Sequence, residues 1–581
     1  MAQGRTAPGT ARGALGMPRA ARSALARVAW CAAAWPVTFA VAAAAGIYFF
    51  AAEGGPANSL FGTAVTFAIA ALIAAASRRL MFASVLTGAL VAFIHTVSWI
   101  KQETTELILH AYDVVAFLGL LPEIERLRIE HSGHAAALFA GLAAMALLGA
   151  ITYLVDSTRI SRLRAASIAV VFAAAAAAAA DAKGERRHTE YYFESRYVTF
   201  FYASWAETIE ALRRGNLIQT SGEAQPPHLG PPADCASAGR RPHIILVHQE
   251  SVVPPAFFPS LSYDRRLDPF FHSFDGQLHK LSVETYGGAS WLTEFSVLTG
   301  LSARSFGGMR QFVQPMTAGK LKDTLPKALA TCGYRNVMLY PMLRHFLASG
   351  RFFETAGFGE IIDAKAQGAQ HANERDRFYY ANALSEMERH FKTSTKPLFL
   401  YVQTMATHGS YGYTYMPEVN VPGGGPGTHP YMHEYLRRLA MAAMDYAYLR
   451  TELVRRFPGR PFLIVHYGDH HPLATQTLLG YGEDASIEDI VQSGNAAALT
   501  TYYAIDAIRY RPPPLSGLDP LDVAYLSTTI LEAAGLPLPE THRERKRLMM
   551  LCGGRYHDCP AQDEILKFHR RLIDSGLMKP L

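Results

Sequence analysis

The chain has 581 residues, of which 50% are hydrophobic and 18% charged, with a formal net charge of +6. Its length leaves room for more than one domain, and its composition is uneven, the first third alanine-rich and almost uncharged between short arginine clusters and the rest mixed. The basic excess does not mark a nucleic-acid partner, because part of it consists of arginines at the ends of apolar segments, a membrane pattern.

Five segments approach the ~20 apolar residues that a helix needs to cross a bilayer. They are Val28 to Phe50, Ser59 to Ser77, Leu80 to Ile100, Ala135 to Val155, and Ala165 to Ala180, the last short and mostly alanine. The N-terminal tail carries Arg5, Arg12, Arg19, Arg22 and Arg27 with no acid, Arg78 and Arg79 follow the second span, and Arg159, Arg162 and Arg164 follow the fourth. Residues 101–134 instead hold six acids against three basic residues. With positive charge kept inside, the N-terminus is expected in the cytoplasm and everything after Ala180 outside it. The expected location is the inner (plasma) membrane, with multiple spans and an extracytoplasmic, periplasmic-type domain after them. A cleaved signal peptide fits poorly, since four more spans follow the first.

Residues 101–117, KQETTELILHAYDVVAF, fall outside the third span in this topology and suit an interfacial helix. Residues 188–218 are rich in aromatics interspersed with acids and arginines, which suits either an interfacial helix or a plain docking helix. A Pro/Gly/Ser-rich linker follows. The expected domains are therefore 1–180 in the membrane, 181–240 as interfacial helix and linker, and 241–581 as the exported domain. Cys31 lies in the first span, so Cys235, Cys332, Cys552 and Cys559 are left for the exported part. That even number permits two disulfides, with Cys552 and Cys559 the local pair, and free thiols are the alternative.

From Arg241 onward short apolar strands alternate with helical stretches: HIILVHQES, YRNVMLYP, PLFLYVQTMATHG, PFLIVHYGDHHP and TYYAIDAIRYRP. The alternation predicts an α/β domain, a central sheet flanked by helices, with ligands at the carboxyl ends of the strands. Glu250 ends the first of these strands, and Asp469 and His470 end another. Ser290 follows Gly288 and Ala289 at the start of a helix, which suits either an N-cap or a nucleophile facing an anion. Together these side chains suit one divalent cation, manganese first, with zinc or magnesium as alternatives. Such a cation would lower the pKa of the Ser290 hydroxyl. NVPGGGPGTHP, residues 420–430, reads as a surface loop, with a flap over the site as the other reading.

The order ILVHQES, GASWLTEFSVLTGL, ATHG, VHYGDHH and LDVAYLSTTILEAAGLPLP resembles the alkaline phosphatase superfamily. More narrowly, the chain is similar to its membrane-anchored, sulfatase-like lipoteichoic acid synthases and phosphoethanolamine transferases. That resemblance implies five N-terminal membrane helices before an exported domain. It also implies Glu250, Ser290, Asp469 and His470 as metal ligands, Ser290 as nucleophile, and His408 and Arg351 as contacts to the transferred group. Read by themselves, a histidine after a strand and an arginine in RFFETAGF are equally a satisfied polar residue and a helix-surface charge.

The chain departs from the family pattern in three places. Those enzymes generally use threonine where this chain has Ser290. The synthases place a tryptophan where it has Ser349, and their glycerol-contacting histidine has no clear match. A formylglycine sulfatase needs x-Pro-x-Arg after its Cys or Ser, whereas Ser290 is followed by Trp291, Leu292, Thr293 and Glu294. The resemblance implies transfer of phosphoglycerol, or else phosphoethanolamine, from a phospholipid donor to a glycan or lipid acceptor through a phospho-serine intermediate. A hydrolytic phosphodiesterase or sulfatase and an inactive lipid sensor are the alternatives.

Overall fold

The computed structural model describes residues 19–105, 107–117, 132–182, 196–224, 226, 228–230, 235, 241–421, 430–483 and 485–580. Two compact units emerge, one built mainly from residues up to 205 and the other mainly from residues 206 to 581. The flap residues 422–429 and the aromatic stretch 188–195 lie outside the described residues.

The first unit contains α1 (Arg19–Ala52), α2 (Pro56–Ser77), α3 (Leu80–Thr105), α4 (Ala111–Phe117), α5 (Ser132–Val155) and α6 (Arg162–Ala182), and it ends within α7 (Tyr197–Arg214). Five of these helices, α1, α2, α3, α5 and α6, are long and apolar enough to cross a membrane. In the last of them the apolar stretch runs from Arg162 to Ala180, longer than the alanine run suggested. Small residues let the helices approach closely. A Cβ at Gly62 would stand 2.4 Å from the Phe49 ring, and one at Gly88 would stand 2.9 Å from Val41. Several polar groups of the unit are paired. Glu53 accepts the backbone N–H groups of Val198 and Thr199 at the start of α7, at 2.9 and 3.0 Å, and also the hydroxyl of Tyr48. Within the 101–117 segment Lys101 pairs with Asp113 at 2.6 Å.

The second unit is built on an eight-stranded sheet in the order β4-β3-β5-β1-β6-β7-β2-β8. Its strands are β1 (His243–Gln249), β2 (His279–Ser282), β3 (Arg335–Leu339), β4 (Glu360–Ile362), β5 (Leu398–Gln403), β6 (Phe462–Gly468), β7 (Thr500–Ile508) and β8 (Leu521–Asp522). β4, β3, β5, β1 and β6 run parallel, and β7 turns antiparallel to β6. Every residue of β1, β5 and β6 is buried, which is why these strands read as continuous apolar runs rather than alternating ones. β2, β4 and β8 are only four, three and two residues long, too short for a periodic signal. Because β1 lies between β5 and β6, the carboxyl ends of three neighbouring strands meet at the middle of the sheet.

Two disulfides, Cys235–Cys332 and Cys552–Cys559, link all four cysteines that follow the apolar helices. In the folded, non-reduced protein these four thiols are expected to resist alkylation and to react after reduction. Mass spectrometry of alkylated peptides checks this, and free Cys552 or Cys559 before reduction would contradict it.

Candidate active site

Ser290 opens α8 (Ser290–Thr299), but it is not the cap of that helix. The cap position is Ala289, held in the left-handed region at φ 62° with no side-chain cap bond. A non-glycine residue there stores of the order of 1–3 kcal/mol of strain and persists only where its surroundings impose it. The turn before it is packed tightly, since a Cβ at Gly287 would stand 2.6 Å from Leu473. With the capping role gone, the Ser290 hydroxyl turns to side chains. It donates to Glu250 Oε2 at 2.9 Å and lies 3.1 Å from His470 Nε2.

Glu250 and Asp469 arrive from adjacent strands. Gly468, the last residue of β6, must lack a side chain because a Cβ there would stand 1.8 Å from the Val252 carbonyl oxygen. That close passage lets Asp469 Oδ1 accept the N–H groups of Ser251 at 2.7 Å and His470 at 2.8 Å. His470 Nδ1 donates to the His471 carbonyl at 2.8 Å, which leaves Nε2 facing the acids. Nε2 lies 3.3 Å from both Glu250 Oε1 and Asp469 Oδ2. Burial opposes charge on this ring, but the Asp469 and Glu250 carboxylates outweigh it and push His470 up to about 9. Burial likewise opposes charge on Glu250, yet contact with His470 holds its carboxyl well below the usual carboxylate range.

These groups fit a divalent cation. Four donors about 2 Å from one ion stand roughly 3.3 Å apart in a tetrahedral site, and the contacts just given span 2.9 to 3.3 Å. Asp469 Oδ2 is fully buried and has no well-aligned hydrogen bond among the described residues. Such an oxygen calls for a cation. The structure also brings in a residue that the strand pattern concealed. His248, Glu250 and Asp469 offer ligand atoms all within 4.8 Å of one another. In the sequence, His248 is simply one polar residue in an apolar strand.

His408 is exposed on the loop after β5. The preceding Thr407 donates to the Glu250 carbonyl, and the charge of His408 contributes to lowering Glu250. Asp376 secures the start of this loop by accepting the N–H groups of Met405 and Ala406, and buried Arg438 secures its end by donating to the carbonyls of His408 and Ser410. Arg351 is half-buried in α9 (Ser349–Ala356). Its helix is tied to α8 through Ser349, which donates to Gln314, which in turn donates to Glu294 at 2.8 Å. Ser349 itself is fully buried.

Residues 242–494 match the family model described as Sulfatase. Over those residues the chain is similar to that family. An uncharacterized protein of Haemophilus influenzae is 24% identical over 246 residues, which is 40% of this chain and 44% of that protein. The match therefore spans less than half the length of that curated relative. Among solved structures, this chain is similar to a Streptococcus pyogenes phosphoglycerol transferase in complex with sn-glycerol-1-phosphate, at 15% identity and TM-score 0.45, over 65% of this chain and 95% of that one. It is also similar to the integral membrane lipooligosaccharide phosphoethanolamine transferase A of Neisseria meningitidis, at 12% identity and TM-score 0.42, over 88% and 96%. A lipoteichoic acid synthase from Listeria monocytogenes aligns at 14% identity and TM-score 0.38, over 57% and 79%.

Asp469→Asn and His470→Ala are expected to weaken manganese and zinc binding by at least about tenfold. Chelator competition on the purified protein measures this, and unchanged affinity in both variants would count against the cluster as a metal centre.

Proposed function

We propose that the protein is a metal-dependent membrane transferase that moves a phosphorus-containing headgroup, phosphoglycerol first and phosphoethanolamine second, from a phospholipid to a cell-envelope glycan or lipid. The observation that carries this reading is the Ser290 hydroxyl, turned away from its helix and held by Glu250 and His470. Glu250, Ser290, Asp469 and His470 would hold the cation, which supplies a lowered hydroxyl pKa and countercharge for the transferred group. Manganese is the first choice, with zinc or magnesium as alternatives. Ser290 Oγ forms an ester bond to phosphorus as the bond to the diacylglycerol oxygen breaks. That oxygen takes up a proton, for which exposed His408 is the nearby donor in this reading, and Arg351 binds the phosphate oxygens. An acceptor hydroxyl then attacks the phospho-serine and releases Ser290.

The sulfatase match alone would also suit hydrolysis, with water as acceptor. Two observations favour transfer from a lipid. Five helices are suited to a bilayer, and the residues after Ser290 lack the formylglycine pattern. The intact cluster speaks against an inactive sensor.

Ser290→Ala is expected to lower diacylglycerol release from phosphatidylglycerol by at least about 10³-fold while leaving the fold intact. Near-normal release would remove Ser290 as the nucleophile, and release only from phosphatidylethanolamine would change the donor. The arginine distribution supports a domain outside the cytoplasm. An alkaline phosphatase reporter fused after Ala180 should therefore be active and one fused after Arg164 inactive, and the reverse pattern would refute this sidedness.

A further inference from the structure

We infer that His248 is a positioning residue that holds Asp469 Oδ2 in place for the cation. The inference rests on the metal reading proposed above. His248 lies two residues before Glu250, and β1 pairs it with Tyr467 of β6, which lies two residues before Asp469. The two strands therefore set His248 one step deeper in the sheet than both acids. Its Nε2 stands 3.0 Å from Asp469 Oδ2, and both side chains are fully buried. The approach is oblique rather than straight. A carboxylate oxygen offers two lone-pair directions, so His248 can occupy one side of Oδ2 and leave the other for a cation. Asp469 Oδ1 is already committed to the N–H groups of Ser251 and His470, so Oδ2 is the oxygen available to a metal.

The histidine is itself fixed from behind. Its Nδ1 lies 2.9 Å from the Tyr401 hydroxyl and 3.1 Å from that of Tyr467, and the two hydroxyls are 3.0 Å apart. A tyrosine O–H donating to Nδ1 puts the ring proton on Nε2, facing the carboxylate. The ring is fully buried and packs beside the Tyr401 and Tyr467 rings, so a swing of Asp469 would separate it from this fixed partner. Groups behind a ligand commonly change metal affinity by about 10–100-fold.

The test uses the full-length protein in detergent, stripped of metal and titrated with manganese, zinc and cobalt against a chelator. His248→Leu should fold, as judged by thermal melting of the stripped protein, and bind metal about 10–100-fold more weakly. Its cobalt absorption spectrum should shift. His248→Gln, whose amide can donate to the same oxygen, should recover most of the affinity. If His248→Leu does not fold, the Tyr401→Phe/Tyr467→Phe double variant carries the test, with a loss of at least about threefold expected and no change overturning the inference. Wild-type affinity and an unchanged cobalt spectrum in His248→Leu would overturn it and leave the metal reading intact. Loss in His248→Gln as complete as in Asp469→Asn would make His248 a ligand rather than a positioning residue. A wild-type protein that binds none of the three metals would overturn both readings together.

Discussion

The site depends on one carboxylate bridging two strand ends. Asp469 Oδ1 takes the Ser251 N–H from the chain leaving β1 and the His470 N–H from the chain leaving β6. Charged acceptors of this kind are about twice as strong as neutral ones, and a buried N–H left without a partner costs about 1–3 kcal/mol. The bridge thus fixes Glu250 and His470 relative to each other before any ligand arrives. It is possible only because Gly468 lets the two chains touch.

Ser290 approaches from the other side, on a helix whose place is set by buried polar contacts. Thr293 donates to the Asp469 carbonyl, and Arg545 donates to the carbonyls of Thr299 and Gly300 at the end of α8. Glu284 gathers Ser296, Ser302 and the Ala303 N–H just beyond it. The helix is therefore tied down along its length, and the strained Ala289 is the compensating distortion at its start. These contacts hold Ser290 off the cap position and against Glu250 and His470.

Beneath the site lies an unusually polar interior for a parallel sheet. His248, Tyr401, Tyr467 and Glu294 are all buried side by side. Burial pushes Glu294 up to about 7, against the opposing pull of His248 and Gln314. An apolar core would pack as well, but it would leave Asp469 Oδ2 without His248 beside it. The polar interior is the counterpart of the two acids above it.

Much of this was legible in the sequence, and for definite reasons. Long apolar runs specify helices that suit a bilayer, and buried parallel strands specify short apolar runs, because both patterns repeat along the chain itself. Glu250, Asp469 and His470 stood out because each interrupts or ends such a run where a parallel sheet places its ligands. The short strands β2, β4 and β8 carried no comparable signal, since two to four residues hold no period. The choice between cap and nucleophile at Ser290 was open in the sequence, because both uses share one local pattern. The structure excludes the cap, because Ala289 takes that position, and sets the hydroxyl 2.9 Å from Glu250, 40 positions earlier in the chain. His248 was invisible for the same reason. Its meaning lies in Asp469, 221 positions along but 3.0 Å away in space, and only the pairing of β1 with β6 brings the two together.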